Sequence, residues 1–355
     1  MTNPFINQLA AAGTVPAPRR PWRNSRKVAV ETAVLVVVSL LAAAGLEALT
    51  GLEGVLGLYL GLALVLPVFA FVSALREGRN SAVDRLATSM LVVAFGAVSI
   101  PWVSVITTVV RNGSKAFYRG YLTTDMLVTG SDDPLNMGGV AHALVGSALV
   151  VVIASVIAVP LGIVAAVYIV EVKGRFASTV RFLTQAMSGV PSIVAGLFVY
   201  ATVVTFLGGF SAWAGASALA VLMLPTVART SEEVLKLVPD DLRAASYALG
   251  ATQSRTTFSV VLPTVFSGLI TAAVLGVARV AGETAPLLLT TSYFVKTSTN
   301  LNEPIATMPI YVFQNLGIGT ENSIARAWGG SLVLLTAVLA FFLLARVLSS
   351  RVSRK

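Results

Sequence analysis

The chain has 355 residues, 56% of them hydrophobic and only 12% charged, with a mean hydropathy of +0.84; this excludes an ordinary soluble domain and requires an integral membrane protein. It has no Cys and one His, His142, which excludes disulfides, thiolate metal sites and multi-His metal centres. A formal net charge of +9 would suit a nucleic-acid partner only if the cations shared one soluble face, so their positions matter more than their sum.

In chain order, residues 1–27 read as a polar, basic, Pro-containing tail, and no cleavable export signal is expected before the first span. Apolar runs then predict eight helical spans, at about 28–49, 52–75, 86–109, 143–170, 183–206, 214–235, 264–290 and 328–348, each near the roughly 20 residues needed to cross a bilayer. An even count puts both termini on one side. Arg19, Arg20, Arg23, Arg26 and Lys27 precede span 1, Arg76, Arg79 and Arg85 follow span 2, and Lys173, Arg175 and Arg181 follow span 4. Arg229, Lys236, Arg243 and Arg255 border span 6, and Arg346, Arg351, Arg354 and Lys355 end the chain. The opposite side holds only Arg111, Lys115, Arg119, Lys296 and Arg326. The positive-inside rule therefore makes both termini cytoplasmic; the basic balance is a topology signal, and nucleic acid is not an expected partner. In span 2, Gly57 and Gly61 stand at the small-xxx-small spacing that lets helices pack closely.

Two outer loops, 110–142 and 291–327, are long enough for short helices. The inner loop is more informative. Thr230 and Glu233 have capping-box spacing and predict a helix start. Pro239 then breaks the chain, Asp240 is a candidate N-cap, and Leu242, Ala245 and Leu249 share one face before Gly250 at the C′ position. The stretch reads as a short cytoplasmic helix with a small-residue face, either a knob for a soluble partner or an ordinary interfacial hairpin. The chain re-enters the bilayer at Leu262-Pro263.

Span 7 contains "VLGVARVAGETAPLLLTT", residues 274–291, apolar except for Arg279 and Glu283. Counted from Pro263 along an unbroken helix, Arg279 lies roughly 24 Å in, too deep to be an end residue. A charge there costs at least about 2.5–3.5 kcal/mol unless it faces a wet cavity or a countercharge. Spacing i, i+4 predicts that Arg279 and Glu283 can pair. Such a pair could merely fix helix packing, but Gly282 and Pro286 bracket the acid as in the broken helices that line substrate paths. An arginine there would meet an anion through charge-assisted hydrogen bonds.

The chain lacks G-x-x-x-x-G-K-[ST], G-x-S-x-G and H-E-x-x-H, so no catalytic engine is expected and energy must come from another subunit. At "DDLRAASYALGATQSRTTFSVVLPT" the chain resembles the EAA loop of bacterial ABC-importer permeases. With "SGVPSIVAGLFVY", "LPTVARTSEEVLKLVP" and "ARVAGETAPLLLT", in order over about 86–355, it resembles the PstA permease family of phosphate-specific transporters.

That resemblance implies an all-α, type I ABC-importer permease core of six helices at 86–355, with a coupling loop at about 229–262, preceded by a two-helix extension at 28–85. It implies ATP-driven phosphate import across the bacterial plasma membrane by a multi-pass, non-catalytic subunit. The implied partners are a PstC-like permease, a PstB-like ATPase dimer that binds ATP and Mg, and a PstS-like phosphate-binding protein, with no cofactor in this chain. It places Arg229, Arg279 and Glu283 on the substrate path; Arg229 alone would also read as a positive-inside anchor. Asp241, Arg243, Ala244, Ala245, Gly250, Leu262 and Pro263 fall in the ATPase-coupling segment. Ala244 stands where the EAA pattern has Glu, so a salt bridge from that position is absent or taken over by Asp241 or Arg243. Residues 1–85 either pack on the lipid side of the core or steady the partner permease. The rival readings are a permease for another oxyanion, a proton-coupled secondary transporter using Glu283 as relay, and a membrane enzyme.

Overall fold

The computed structural model describes residues 26–51, 54–130 and 132–352, and among them there is no β-strand. Most of the basic tail expected at 1–27 lies outside these residues, as do Arg354 and Lys355. Among the described residues six helices are long and apolar enough to cross a membrane, or up to eight if two sharply bent helix pairs each count as one span. The contacts divide the chain into two units, Met1–Val105 and Ile106–Lys355.

The first unit contains α1 (Arg26–Thr50), α2 (Val55–Ala74) and most of α3 (Arg79–Gly113), with a 3-10 turn at Leu75–Glu77. Gly57 and Gly61 are both buried, and a Cβ on Gly61 would come within 3.0 Å of the Ala43 carbonyl oxygen. The small-xxx-small pattern thus serves helix packing inside the unit. The Tyr59 hydroxyl donates to the Val93 carbonyl and links α2 to α3.

The second unit is built around α4 (Ala141–Val167) and α7 (Ala212–Lys236). α7 starts because Ser211, in extended conformation, accepts the Ala214 N–H on its hydroxyl, filling one orphan donor of the first turn. It is the central helix, with 67% of its most apolar stretch buried inside the chain. Val150, Ala154 and Ala158 of α4 interlock with Ala216, Leu219, Met223 and Val227 of α7 in the main apolar cluster. Close approach is possible because Gly162 faces Val227, where a Cβ would stand 2.9 Å from the Val227 side chain.

Several predicted boundaries need correction. The span expected at 183–206 is two helices, α5 (Ala177–Ser188) and α6 (Ser192–Leu207), bent by 106°. Gly189-Val190-Pro191 explains the break: proline has no N–H to give and disfavours helical geometry in the residue before it. The span expected at 264–290 is likewise broken: α9 (Gln253–Thr264) turns by 72° into α10 (Phe266–Ala281). After α10, Gly282-Glu283 separates a short helix, α11 (Ala285–Leu288). The capping box at Thr230 starts nothing, since α7 runs through it to Lys236 with Ser231 and Leu235 buried against the core. Tertiary packing outweighs a local cap worth about 1 kcal/mol.

The two long loops, 110–142 and 291–327, fold against each other. Helix α12 (Met308–Ile318) occupies part of 291–327, and the Met308 N–H donates to the Ser147 hydroxyl on α4 at 2.7 Å. Arg326, early in α13 (Glu321–Val352), is 1% exposed and donates to the carbonyls of Asp133, Pro134 and Met137 at 2.8–3.3 Å. Asp125 accepts the Thr297 N–H at 3.1 Å, and this bond holds its carboxyl below the ordinary carboxylate range.

Replacing Gly162 with Leu should wedge α4 from α7 and cost about 1–3 kcal/mol. The expected readout is a lower melting temperature of the detergent-solubilised chain; an unchanged melting temperature would contradict the packing described.

Candidate functional site

The inner loop folds as the short helix α8 (Asp240–Ala248). Pro239, in extended conformation, is its N-cap, so Asp240 falls in the first helical turn rather than at the cap position predicted for it. Gly250 has φ +77°, the left-handed geometry that closes a helix at C′. Leu242, Ala245 and Leu249 are exposed, Leu249 at 90%. Ala244 and Asp241 are exposed as well.

The opposite side of α8 is pinned to the body. Glu171, 6% exposed, lies in the π-turn Tyr168–Val172 that continues α4. Its Oε1 receives the Arg243 guanidinium at 2.7 Å, and Arg243 also donates to the carbonyls of Val238 at 2.6 Å and Leu235 at 3.1 Å. The Glu171 backbone carbonyl accepts from the Gln253 amide at 2.6 Å. One residue therefore grips α8 from within, through Arg243, and again just after its end, through Gln253. Hydrogen bonding to Glu171 raises the Arg243 pKa further above its ordinary value. The Ser246 and Thr256 hydroxyls are 2.8 Å apart and add a third tie. Beneath them, Ala166, Leu235, Val238, Val261 and Leu269 form an apolar cluster against which Leu262 packs, while Pro263 is exposed at the start of the bend.

This corrects one alternative: Arg243 is not a free cation able to replace the missing Glu at 244, because its guanidinium is committed inside the chain. Sequence pattern does not pick out Glu171 and Gln253 as partners, since they are 82 residues apart. For Glu171 alone a signal was there, as it is an acid placed at the end of an otherwise apolar span. A second buried acid, Glu232, joins Arg181 of α5 and Lys236 at 2.9 Å each, tying the bent segment to α7.

Arg279 sits in the last turn of α10 and is exposed, a helix end where a cation meets the negative pole of the dipole. The predicted Arg279–Glu283 pair does not form. α10 stops at Ala281, so Glu283 no longer lies one helical turn beyond Arg279; its N–H bonds to the Val280 carbonyl and its side chain is half-buried. Among the described residues neither side chain has an ion pair or hydrogen bond. The depth estimate also changes, because the bend at Val265 resets the helix; Arg279 is roughly 20 Å along α10 from Phe266.

Arg229 is exposed on α7. Gly268 faces Val234 and Gly276 faces Val227, so α10 and α7 run antiparallel. In that register Arg229 lies about five residues, roughly 8 Å along the shared axis, nearer the α8 end than Arg279. The two arginines are thus successive cations on one helix pair. α10 has 16 residues, or roughly 24 Å, short of a hydrocarbon core about 30 Å thick. Irregular backbone at such depth persists only when enclosed by protein or lining water.

Residues 158–354 match the family of binding-protein-dependent transport system inner membrane components. The chain is 44% identical over 216 residues to the phosphate transport system permease protein PstA of Yersinia pestis, covering 60% of this chain and 73% of that protein. It is 37% identical over 293 residues to PstA 1 of Mycobacterium tuberculosis H37Rv, covering 81% and 93%, and 34% identical over 265 residues to PstA of Pasteurella multocida, covering 74% and 92%. Among solved structures, an inward-facing MetNI methionine ABC transporter chain superposes with a TM-score of 0.50 at 20% identity, covering 60% of this chain and 94% of that one; this likeness bears on the fold alone.

If Glu171 is the clamp for α8, Glu171→Gln should raise amide hydrogen exchange across 240–256 by about tenfold or more, since a charged hydrogen bond is worth about 1.5–3 kcal/mol. Unchanged exchange would show that α8 is held by other contacts.

Proposed function

Given a chain that belongs to the binding-protein-dependent transport system permeases, and within them to the PstA phosphate permeases, we propose how its residues carry phosphate and couple to ATP. The chain is a multi-pass inner-membrane permease subunit of a phosphate ABC importer. Its relatives favour phosphate over other oxyanions, and its family leaves the proton-coupled reading unsupported.

The observation that supports a route is the exposed, unpartnered Arg279 at the broken end of a short helix. A guanidinium facing lipid would cost several kcal/mol. In the assembled importer that edge faces a PstC-like permease across a hydrated path. There the five donors of Arg279 receive phosphate oxygens in a bidentate fork. The half-buried Glu283 beside it disfavours a resting anion by repulsion, so phosphate is held weakly enough to leave. Arg229, roughly 8 Å further toward the coupling-loop end, is the next cation on the route.

Coupling runs through α8. Its exposed Leu242, Ala245 and Leu249 enter a socket on a PstB-like ATPase, with Ala244 beside them and Asp241 supplying acid to the rim. The Glu171 clamp carries ATPase closure into α4, and Leu262-Pro263 carries it into the α9–α10 bend. A PstS-like binding protein delivers phosphate to the folded outer loops. ATP and Mg act in the ATPase subunits, with no cofactor in this chain, and both termini are cytoplasmic.

Arg279→Gln should lower phosphate uptake by on the order of 10²-fold, the effect of removing one charged partner from a desolvated ion pair, while the complex still co-purifies. Arg279→Lys should keep part of the activity, because charge survives but the fork does not. Normal uptake in Arg279→Gln would remove the residue from the route. Gly250→Val should strain the left-handed turn by about 1–2 kcal/mol and weaken co-purification of the ATPase; unchanged recovery would contradict the docking role.

A further inference from the structure

The first unit carries a feature that the transport route does not use. Three helix ends converge at one charged junction. Glu31 comes from α1, Arg76 and Glu77 from the turn after α2, and Asp84 and Arg85 from α3. Arg85 is engaged within the protein, its guanidinium 2.6 Å from Glu77 and 3.9 Å from Glu31. Arg76 has no ion pair or hydrogen bond among the described residues, and the Glu31 side chain remains 60% exposed.

Two grooves leave this junction. One, of about 550 Å³, runs between α1 and α2 along Val34, Val38, Phe69 and Val72, with Arg76, Glu77 and Glu31 lining it as well. The other, of about 380 Å³, runs along Val36, Leu66, Ala70 and Val92, with Asp84, Thr88 and Ser89 among its polar lining. Glu31, Leu35 and Arg85 line both. Two apolar channels meeting at one polar point match a molecule with two hydrocarbon tails and one headgroup. The junction has both signs to offer, a free guanidinium beside a solvent-facing carboxylate, which matches a phosphate joined to an ammonium. Its helix ends carry Arg76, Arg79 and Arg85, the cationic pattern of the leaflet-facing ends of spans.

We propose that the first unit binds one diacyl aminophospholipid, with its phosphate on Arg76, its primary ammonium on Glu31 and one acyl chain in each groove. The ammonium donates charge-assisted hydrogen bonds to the carboxylate, which the quaternary ammonium of phosphatidylcholine cannot do. Phosphatidylglycerol has no cation to meet Glu31 and is repelled by it. The tails leave bilayer or detergent rather than water, so what they gain in the grooves is close packing; the junction gives headgroup choice. The site is independent of the phosphate route: it lies wholly in the first unit and stands whether or not Arg279 carries phosphate.

The test uses the assembled, delipidated complex, with phosphatidylethanolamine, phosphatidylcholine or phosphatidylglycerol added singly and retained lipid counted by native mass spectrometry. One phosphatidylethanolamine per chain is expected, with at least fivefold less retention of the other two. Arg76→Gln and Glu31→Gln should each lower that retention at least fivefold, and Glu31→Gln should gain phosphatidylglycerol, which a merely misfolded variant would not do. Equal retention of all three lipids, or retention unchanged in both variants, would overturn the site. So would a photocrosslinker at Val38 that captures another subunit instead of lipid. Displacement of the lipid by glycerophosphoethanolamine, a headgroup without tails, would overturn the role of the grooves.

Discussion

Arg279 carries a full charge at the end of a helix roughly 24 Å long, in a chain whose neighbouring surface is Val, Leu and Ala. A guanidinium held away from water needs a countercharge or a wet cavity, and among the described residues Arg279 has no ion pair or hydrogen bond. The nearest acid in sequence, Glu283, is carried out of helical register by the stop at Ala281. The electrostatics of the site are therefore incomplete in one subunit.

The other deep charges show the contrast. Glu171 is closed on Arg243 and Gln253, Glu232 on Arg181 and Lys236, and Arg326 on carbonyls of the outer loop. Each joins segments distant in sequence, at the base of α8, at the elbow of the bent α5–α6 segment and at the packed loops 110–142 and 291–327. Only the Glu171–Arg243 pair is buried on both sides, where breaking one partner costs about 3–5 kcal/mol; the Glu232 contacts have half-exposed cations and are weaker. Arg229 and Arg279, by contrast, are exposed.

Six of the eight expected spans were legible because a bilayer demands long apolar runs, the other two being bent helix pairs, and α8 was legible because Pro239 and Gly250 punctuate it. Its exposed face at Leu242, Ala245 and Leu249 could also be read from spacing alone. The 106° break at Gly189-Val190-Pro191 was not, because a run of apolar residues conceals a single proline within it. The start proposed at Thr230 failed because local capping is weaker than the packing of Ser231 and Leu235 into the core. The Arg279–Glu283 pair failed for a reason visible in the sequence: Gly282 and Pro286 were read as marking a path, yet the same residues end the helix that the pairing required. Glu171 and Gln253, 82 residues apart, meet only through the fold, and no local pattern joins them.

The most direct test is whether water and phosphate reach the end of α10 in the assembled importer. The chain has no native Cys, so Ala281→Cys offers a single thiol beside Arg279. Labelling by a membrane-impermeant, water-soluble thiol reagent should proceed in the complex and slow when phosphate is supplied by the binding protein. A thiol that stays unreactive in both the resting and the ATP-trapped complex, or one whose labelling ignores phosphate, would contradict a hydrated anion route at Arg279.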